Sequence, residues 1–399
     1  MGVIGAQIIS ILTQPVITRL YSPEAFGNLS LLISLANIFL PLSTMQYHIS
    51  IVNAKKEEEF ALCKLTFFLV ILTTVVFAMG LVVYVQIGGE KYEKLGSLIY
   101  ISVIWYSMMG IVYIIESYNN RHNEYNLMTK VTFNRAVFSN ITKIGLGLLN
   151  TGIIGLTIGQ TVGYIAGLKK QAQSFVGHII QIKHTEWSQV WQVAKKYSAQ
   201  PLYALPGLFI LQISYSALSI IINTAYSAED SGFFALSMTI LGIPLALVSN
   251  NVARVFFKNA SQEYEEKENF RSTFRNTAAL LILLSVMGFG ILWLIAEPVF
   301  ALVYGKAWIK SGTYVKLLIP MYAMRFVVTG MMHGFVISNQ QRLKTILQGL
   351  FIVALIIGYF LAKYSILSIE EFLRFINWSY FGLYMLLFIV LWKQSGKLK

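Results

Sequence analysis

Tyr21-Ser22-Pro23-Glu24-Ala25-Phe26-Gly27 returns, little changed, as Tyr226-Ser227-Ala228-Glu229-Asp230-Ser231-Gly232, so Tyr, Ser, Glu and Gly recur at a constant offset of 205 residues. Each copy follows an apolar run (3–18; 208–224) and precedes another (29–52; 233–256). The repeated unit is therefore a helix, a tight loop and a helix. Read locally, Ser22 is an N-cap, Pro23 suits the first helical position and Glu24 complements the N-terminal dipole. Any helix can begin in this way, but a shared offset with matching flanks points to duplication, a common way of building transporters. The chain reads as two related halves.

The composition is 56% hydrophobic and 12% charged, with mean hydropathy +0.63, far from the balance of a soluble domain. The apolar runs reach the length of a bilayer crossing and lack the alternation of barrel strands, which implies an all-α polytopic membrane protein. The net charge of +13 comes from basic residues scattered between apolar runs, with no clustered stripe, so nucleic acid is not the expected partner. Cys63 is the only cysteine, which excludes an intrachain disulfide framework or a thiolate metal cluster. Met1-Gly2 leads straight into apolar residues without a charged n-region, so the first segment is expected to be retained rather than cleaved.

Hydropathy marks about twelve spans, at 1–18, 28–52, 65–85, 98–118, 133–149, 152–168, 202–224, 233–256, 277–302, 314–337, 345–361 and 372–392. They divide into an N-lobe of six helices (1–168), a cytoplasmic linker (169–200) and a C-lobe of six (201–399). Lys and Arg in loops and at span ends alternate twenty-one against seven, the richer side including Lys55, Arg121, Arg135, Lys169, Arg271 and Lys397, and the poorer side Arg19, Lys91, Lys94, Lys306 and Lys363. By the positive-inside rule both termini are cytoplasmic. In the linker, Phe175, Ile179, Ile180, Ile182, Trp187, Val190, Trp191 and Ala194 have roughly helical spacing beside lysines. That pattern fits an amphipathic segment in the inner leaflet interface, with a plain connecting loop as the alternative. No segment outside the spans is long enough for a folded catalytic domain.

Three basic residues remain within spans: Lys143, Arg325 and Arg374. Arg374 is near a helix end and can snorkel, whereas Lys143 and Arg325 lie about 15 Å into their spans. A cation at that depth costs at least about 2.5–3.5 kcal/mol unless it meets water or a partner. Acids are scarce there: Asp230 is the only Asp and belongs to the repeat, while Glu116 and Glu297 sit near span ends. Lys143 and Arg325 are therefore expected to line a wet cavity and hold an anionic ligand. The alternative is satisfaction by helix carbonyls or by Asn140, Thr142 or Thr329, for packing alone.

Gln46, His48, Asn250 and Arg254 occupy matching places under the repeat and are candidates for an inner gate or for ordinary interfacial positions. Asn37, Gln160 and Gln212 are candidates for cavity lining. Trp308, Trp378 and Trp392 fit interface anchoring. No HExxH, GxSxG, P-loop or CxxC pattern occurs, so no catalytic or metal site and no cofactor is expected, and any pumping would draw on an ion or substrate gradient.

Thr18-Arg19-Leu20-Tyr21-Ser22-Pro23-Glu24-Ala25-Phe26-Gly27 resembles the signature after the first helix of Wzx-type O-antigen and capsule repeat-unit flippases, members of the multidrug/oligosaccharidyl-lipid/polysaccharide exporter (MOP) superfamily. Tyr304-Gly305-Lys306-Ala307-Trp308, Leu317-Leu318, Arg325-Phe326 and Ile51-Val52-Asn53-Ala54-Lys55-Lys56 are similar to further stretches of that family. Relatives carry an Arg and an acid where this chain has Gln46-Tyr47-His48. The resemblance implies a MATE-like fold of two pseudo-symmetric lobes in the bacterial inner membrane. It implies movement of an undecaprenyl-pyrophosphate-linked oligosaccharide to the periplasmic leaflet, by alternating access through a cationic cavity holding Arg325 and Lys143. It further implies H+ or Na+ coupling, with His48, Glu116 or Glu297 as proton carriers, and a polysaccharide polymerase and chain-length regulator as partners besides membrane lipids. The competing readings are a multidrug antiporter of the same superfamily, which needs mid-membrane acids, and a membrane polysaccharide polymerase or ligase, which needs a large periplasmic loop.

Overall fold

A computed structural model describes residues 2–88, 95–364 and 366–396. Met1, Lys91, Lys94, Lys397 and Lys399, which entered the span and charge assignments, lie outside the described residues. The chain forms two compact units, Met1–Ile220 and Ile221–Lys399, that meet within one helix. The first unit contains α1 (Gly2–Leu20), α2 (Pro23–Phe39), α3 (Tyr47–Asn53), α4 (Glu59–Gly88), α5 (Ile101–Arg121), α6 (Tyr125–Leu148) and α7 (Ile153–Ile165). Four short helices follow, α8 (Leu168–Gln171), α9 (Gln173–Gly177), α10 (Ile179–His184) and α11 (Trp187–Lys196), and then most of α12 (Leu205–Ala225). The second unit adds α13 (Ala228–Pro244), α14 (Asn250–Lys267), α15 (Arg271–Val299), α16 (Ile309–Met331), α17 (Gly334–Ile337), α18 (Gln341–Lys363) and α19 (Ile369–Ser395).

Among the described residues, eight segments are long and apolar enough to cross a membrane: Pro23–Leu42, Lys56–Ile87, Gly96–Arg121, Gln200–Ala225, Ala228–Lys267, Arg271–Tyr304, Gln341–Lys363 and Ile369–Ser395. The other four apolar runs in the sequence correspond to α1, α6, α7 and α16. Their shortfall is informative. Helix α7 has 13 residues, and α6 and α16 are the helices that carry Lys143 and Arg325 along with further cations.

The repeated heptapeptides do what their residues predict. The Ser22 side chain accepts from the Ala25 amide with Pro23 in the first turn, and the Ser227 side chain accepts from the Asp230 amide. Glu24 and Glu229 sit in the first turns, where the dipole favours an anion. Gly27 and Gly232 are buried one turn further on.

Both helices that follow these loops are interrupted, where hydropathy suggests single spans over 28–52 and 233–256. In the first, α2 ends at Phe39, a 3-10 turn covers Leu40–Leu42, and Met45 and Gln46 take positive φ before α3 begins. Pro41 has no amide to continue the ladder, and the Gln46 side-chain amide donates to the Pro41 carbonyl at 3.0 Å. In the second, a π-helical turn, Leu245–Ser249, follows Pro244 and joins α13 to α14. A broken helix at membrane depth needs such internal partners for its freed backbone groups.

The motif 304–308 ends beside the second repeat: Trp308 is buried and its ring stands edge-on to Phe233 at 6.0 Å. Burial corrects the expectation that Trp308 anchors an interface, because the side chain fills the core instead. Trp378 is exposed, and Trp392 stacks beneath the Arg271 guanidinium at 3.3 Å. The linker is four helices, not a loop. Phe175, Ile182, Val190 and Val193 join Tyr47, Ile51, Leu62 and Leu65 in one cluster of the first unit.

Candidate functional site

Helix α7 carries Gly155, Gly159, Gly163 and Gly167 at every fourth position, a small-residue stripe on one face. That stripe brings α7 against α6 at backbone distance. A Cβ on Gly159 would overlap the Cγ of Lys143, and one on Gly163 would lie 2.9 Å from the Ser139 Cβ. The stem of Lys143 therefore lies on bare helix. The next residue, Gln160, receives its end: Lys143 Nζ donates to Gln160 Oε1 at 2.8 Å. From the other side, Tyr21 of the repeated loop donates its hydroxyl to the Lys143 carbonyl at 2.7 Å.

These groups border a cavity of about 420 Å³ inside the first unit, walled by α1, α5, α6 and α7. Its polar lining is Glu116, Arg135, Asn140, Lys143, Gln160 and the two tyrosines Tyr113 and Tyr164. Arg135 pairs with Glu116 at 3.1 Å and donates to the Gln171 side chain at 2.7 Å. Arg135 Nε is buried without a hydrogen-bond partner. Among the described residues no ion pair involves Lys143. The charge count follows: Glu116 and Arg135 cancel, and Lys143 leaves the cavity cationic.

The sequence candidates fall into separate groups. Lys143, Gln160 and Glu116 come together in this cavity. His48 borders it indirectly, bonded through Nδ1 to Thr44 at 2.6 Å and stacked on the cavity residue Tyr113 with ring centroids 5.0 Å apart. Gln46 belongs to the broken-helix junction, where it is buried. Asn37 is half-buried on α2, and Gln212 donates to Ser216 along α12 at 2.8 Å. In the second unit, Asn250 and Arg254 are exposed on α14. Arg325 is half-buried on α16, its guanidinium 5.4 Å from the Tyr322 ring. Glu297 accepts from Thr313 and pairs with Lys316 at 3.2 Å.

Two features escaped the sequence reading. Arg135 was placed at a span end, because the apolar run begins near 133, whereas α6 starts at Tyr125 and carries Arg135 into the cavity wall. The scarcity of buried acid partners needs the same correction, since Glu116 faces the same cavity as Lys143, already neutralised by Arg135. The four-residue glycine spacing was the available signal for the α6–α7 contact.

Comparison with known proteins gives the family. The sequence profile of the polysaccharide biosynthesis protein family matches residues 16–313. The chain belongs to that family. No curated protein matches it in sequence. Among solved structures, it is similar to an inward-facing multidrug resistance MATE family transporter of the MOP superfamily, with 12% identity, a TM-score of 0.69 and coverage of 98% of this chain and 93% of that one. A mutant form of the Vibrio cholerae MATE transporter VcmN aligns with 12% identity, a TM-score of 0.57 and the same 98% and 93% coverage. The family member described here thus has the MATE-type fold and is a multi-pass membrane protein.

Proposed function

We propose that the protein is a flippase that carries a lipid-linked oligosaccharide, joined through a pyrophosphate to an undecaprenyl chain, from the cytoplasmic to the periplasmic leaflet by alternating access. Membership of the polysaccharide biosynthesis family and the MATE-type fold support membrane export as the general activity. The net positive charge of the Lys143 cavity carries the choice of cargo. A pyrophosphate offers oxygens to the Lys143 ammonium and to Arg135, whose buried Nε is a donor in want of an acceptor. Asn140 and Gln160 add neutral hydrogen-bonding groups suited to sugar hydroxyls. A carrier of organic cations would need a free carboxylate here, and Glu116 is committed to Arg135. Arg325 is the corresponding cation of the second unit and is proposed as a second contact to the anionic cargo. Glu116, Glu297 and His48 are the groups through which an H+ or Na+ gradient would act.

The test is surface polysaccharide in the native host after replacement of the chromosomal copy. Loss of a charge-assisted contact predicts that Lys143→Met lowers surface polymer by about tenfold or more, with membrane-embedded protein unchanged by immunoblot. Arg325→Ala is expected to act in the same direction. Wild-type polymer in Lys143→Met would remove the anion site from this cavity.

A further inference from the structure

The linker helices α8–α11 have a second face that the cavity does not use. Their inner side is fixed in place by more than apolar contact. Tyr47 donates its hydroxyl to the Ala194 carbonyl at 3.0 Å, and Lys64 Nζ donates to the carbonyls of Lys183 and Thr185 at 3.0 and 2.6 Å. Lys196 and Tyr197 both donate to Glu58, and that hydrogen bond holds the Lys196 ammonium above its ordinary pKa. With the inner side so tied, the orientation of the outer side is set.

That outer side is apolar where a solvated loop would be polar. Ile180, Trp187 and Trp191 are 64%, 47% and 65% exposed. The two tryptophans are one turn apart on α11 and share a face. Trp187 meets Phe68 of α4 edge-on at 5.3 Å. Phe68 is itself one of an exposed apolar row on that long helix, with Ile71, Leu72, Val75 and Met79. The outward apolar surface therefore runs without a break from the wall of α4 onto the linker. Beside it stand the exposed Lys183 and Lys195, while Lys64 lies 4.9 Å from the Trp187 ring. Aromatic rings next to lysines at the edge of a hydrocarbon-facing helix match the headgroup layer of an acidic membrane in both polarity and sign.

We propose that the outward face of the linker is a docking surface for acidic phospholipid headgroups, with Trp187, Trp191 and Ile180 entering the interface and Lys183 and Lys195 meeting the phosphates. This surface is distinct from the cavity and does not depend on which molecule is transported.

The full-length chain lends itself to a direct test, because Cys63 is its only cysteine and is buried. A Trp191→Cys variant labelled with a polarity-sensitive fluorophore is reconstituted into phosphatidylcholine vesicles with or without phosphatidylglycerol. The expected result is severalfold weaker quenching by iodide in the acidic vesicles than in the neutral ones. The added charge variants Lys183→Gln and Lys195→Gln should erase that difference, and a label at the exposed Gln189 should stay open to iodide in both membranes. A label at position 191 that is equally open in both membranes, or equally shielded in both, overturns the proposal.

Discussion

The two copies of the repeated loop share a cap and differ in what they hold. In the first, Tyr21 reaches across to the carbonyl of Lys143, so the loop touches the helix that carries the cavity cation. In the second, Tyr226 donates instead to the Leu367 carbonyl at the approach to α19, and the reach toward the cation-bearing helix passes to Asp230. Asp230 accepts from Lys310 and Tyr314, both on α16, each at 2.7 Å, and from the Ser227 hydroxyl at 2.6 Å. One loop fixes its partner helix through a neutral hydroxyl on a carbonyl, the other through the sole aspartate of the chain. The consequence in each unit is the same: the repeat is tied to the helix bearing Lys143 or Arg325. A duplicated backbone has kept the destination of the contact while exchanging its chemistry.

That equivalence can be broken in graded steps. The largest effect is expected from Gly159→Leu, which forces a side chain into the stem of Lys143. Overpacking of this kind costs about 3 kcal/mol, read as a lowered midpoint of thermal unfolding in detergent, together with loss of surface polymer. Asp230→Ala removes the acceptor of Lys310, Tyr314 and Ser227. Lys310 is 42% exposed, so water recovers part of its charge, and the expected loss is about 2 kcal/mol by the same thermal measurement. The smallest and most diagnostic pair is Tyr21→Phe against Tyr226→Phe. Each loses one hydrogen bond, about 1 kcal/mol, but only Tyr21→Phe should lower polymer export, because only it loosens the backbone of a cavity residue. Equal export in the two variants would show that the first loop caps a helix and does nothing for the cavity.

Most of the architecture was legible because hydropathy and charge alternation act over whole helices. Lys143 stood out for the same reason, as a cation deep in an apolar run. What escaped was set by backbone conformation rather than polarity. The break after α2 lies in residues as apolar as a continuous span, and only Pro41 hinted at it; the positive φ values of Met45 and Gln46 have no hydropathic trace. Arg135 was misplaced because an apolar window begins where the hydrophobic residues do, whereas α6 begins earlier, at Tyr125. The Glu116–Arg135 pair joins residues from two helices and could not be inferred from either run alone. Ser22 and Ser227, by contrast, were read correctly, since capping is chemistry between near neighbours.

The π-helical turn at Leu245–Ser249 makes the length of the chain itself a structural variable. Such a turn holds one residue more than the α-helix needs, and Ser249 within it donates to the carbonyl of Phe326, the residue after Arg325. Deleting any one of those five residues would let α13 and α14 run on as a straight helix, yet it would swing everything downstream by about 100°. Ala253, Phe256 and Ala260 would leave the core and Arg254 would turn toward it. A single lost codon there would exchange the inside of the helix for its outside, even though no residue had been replaced.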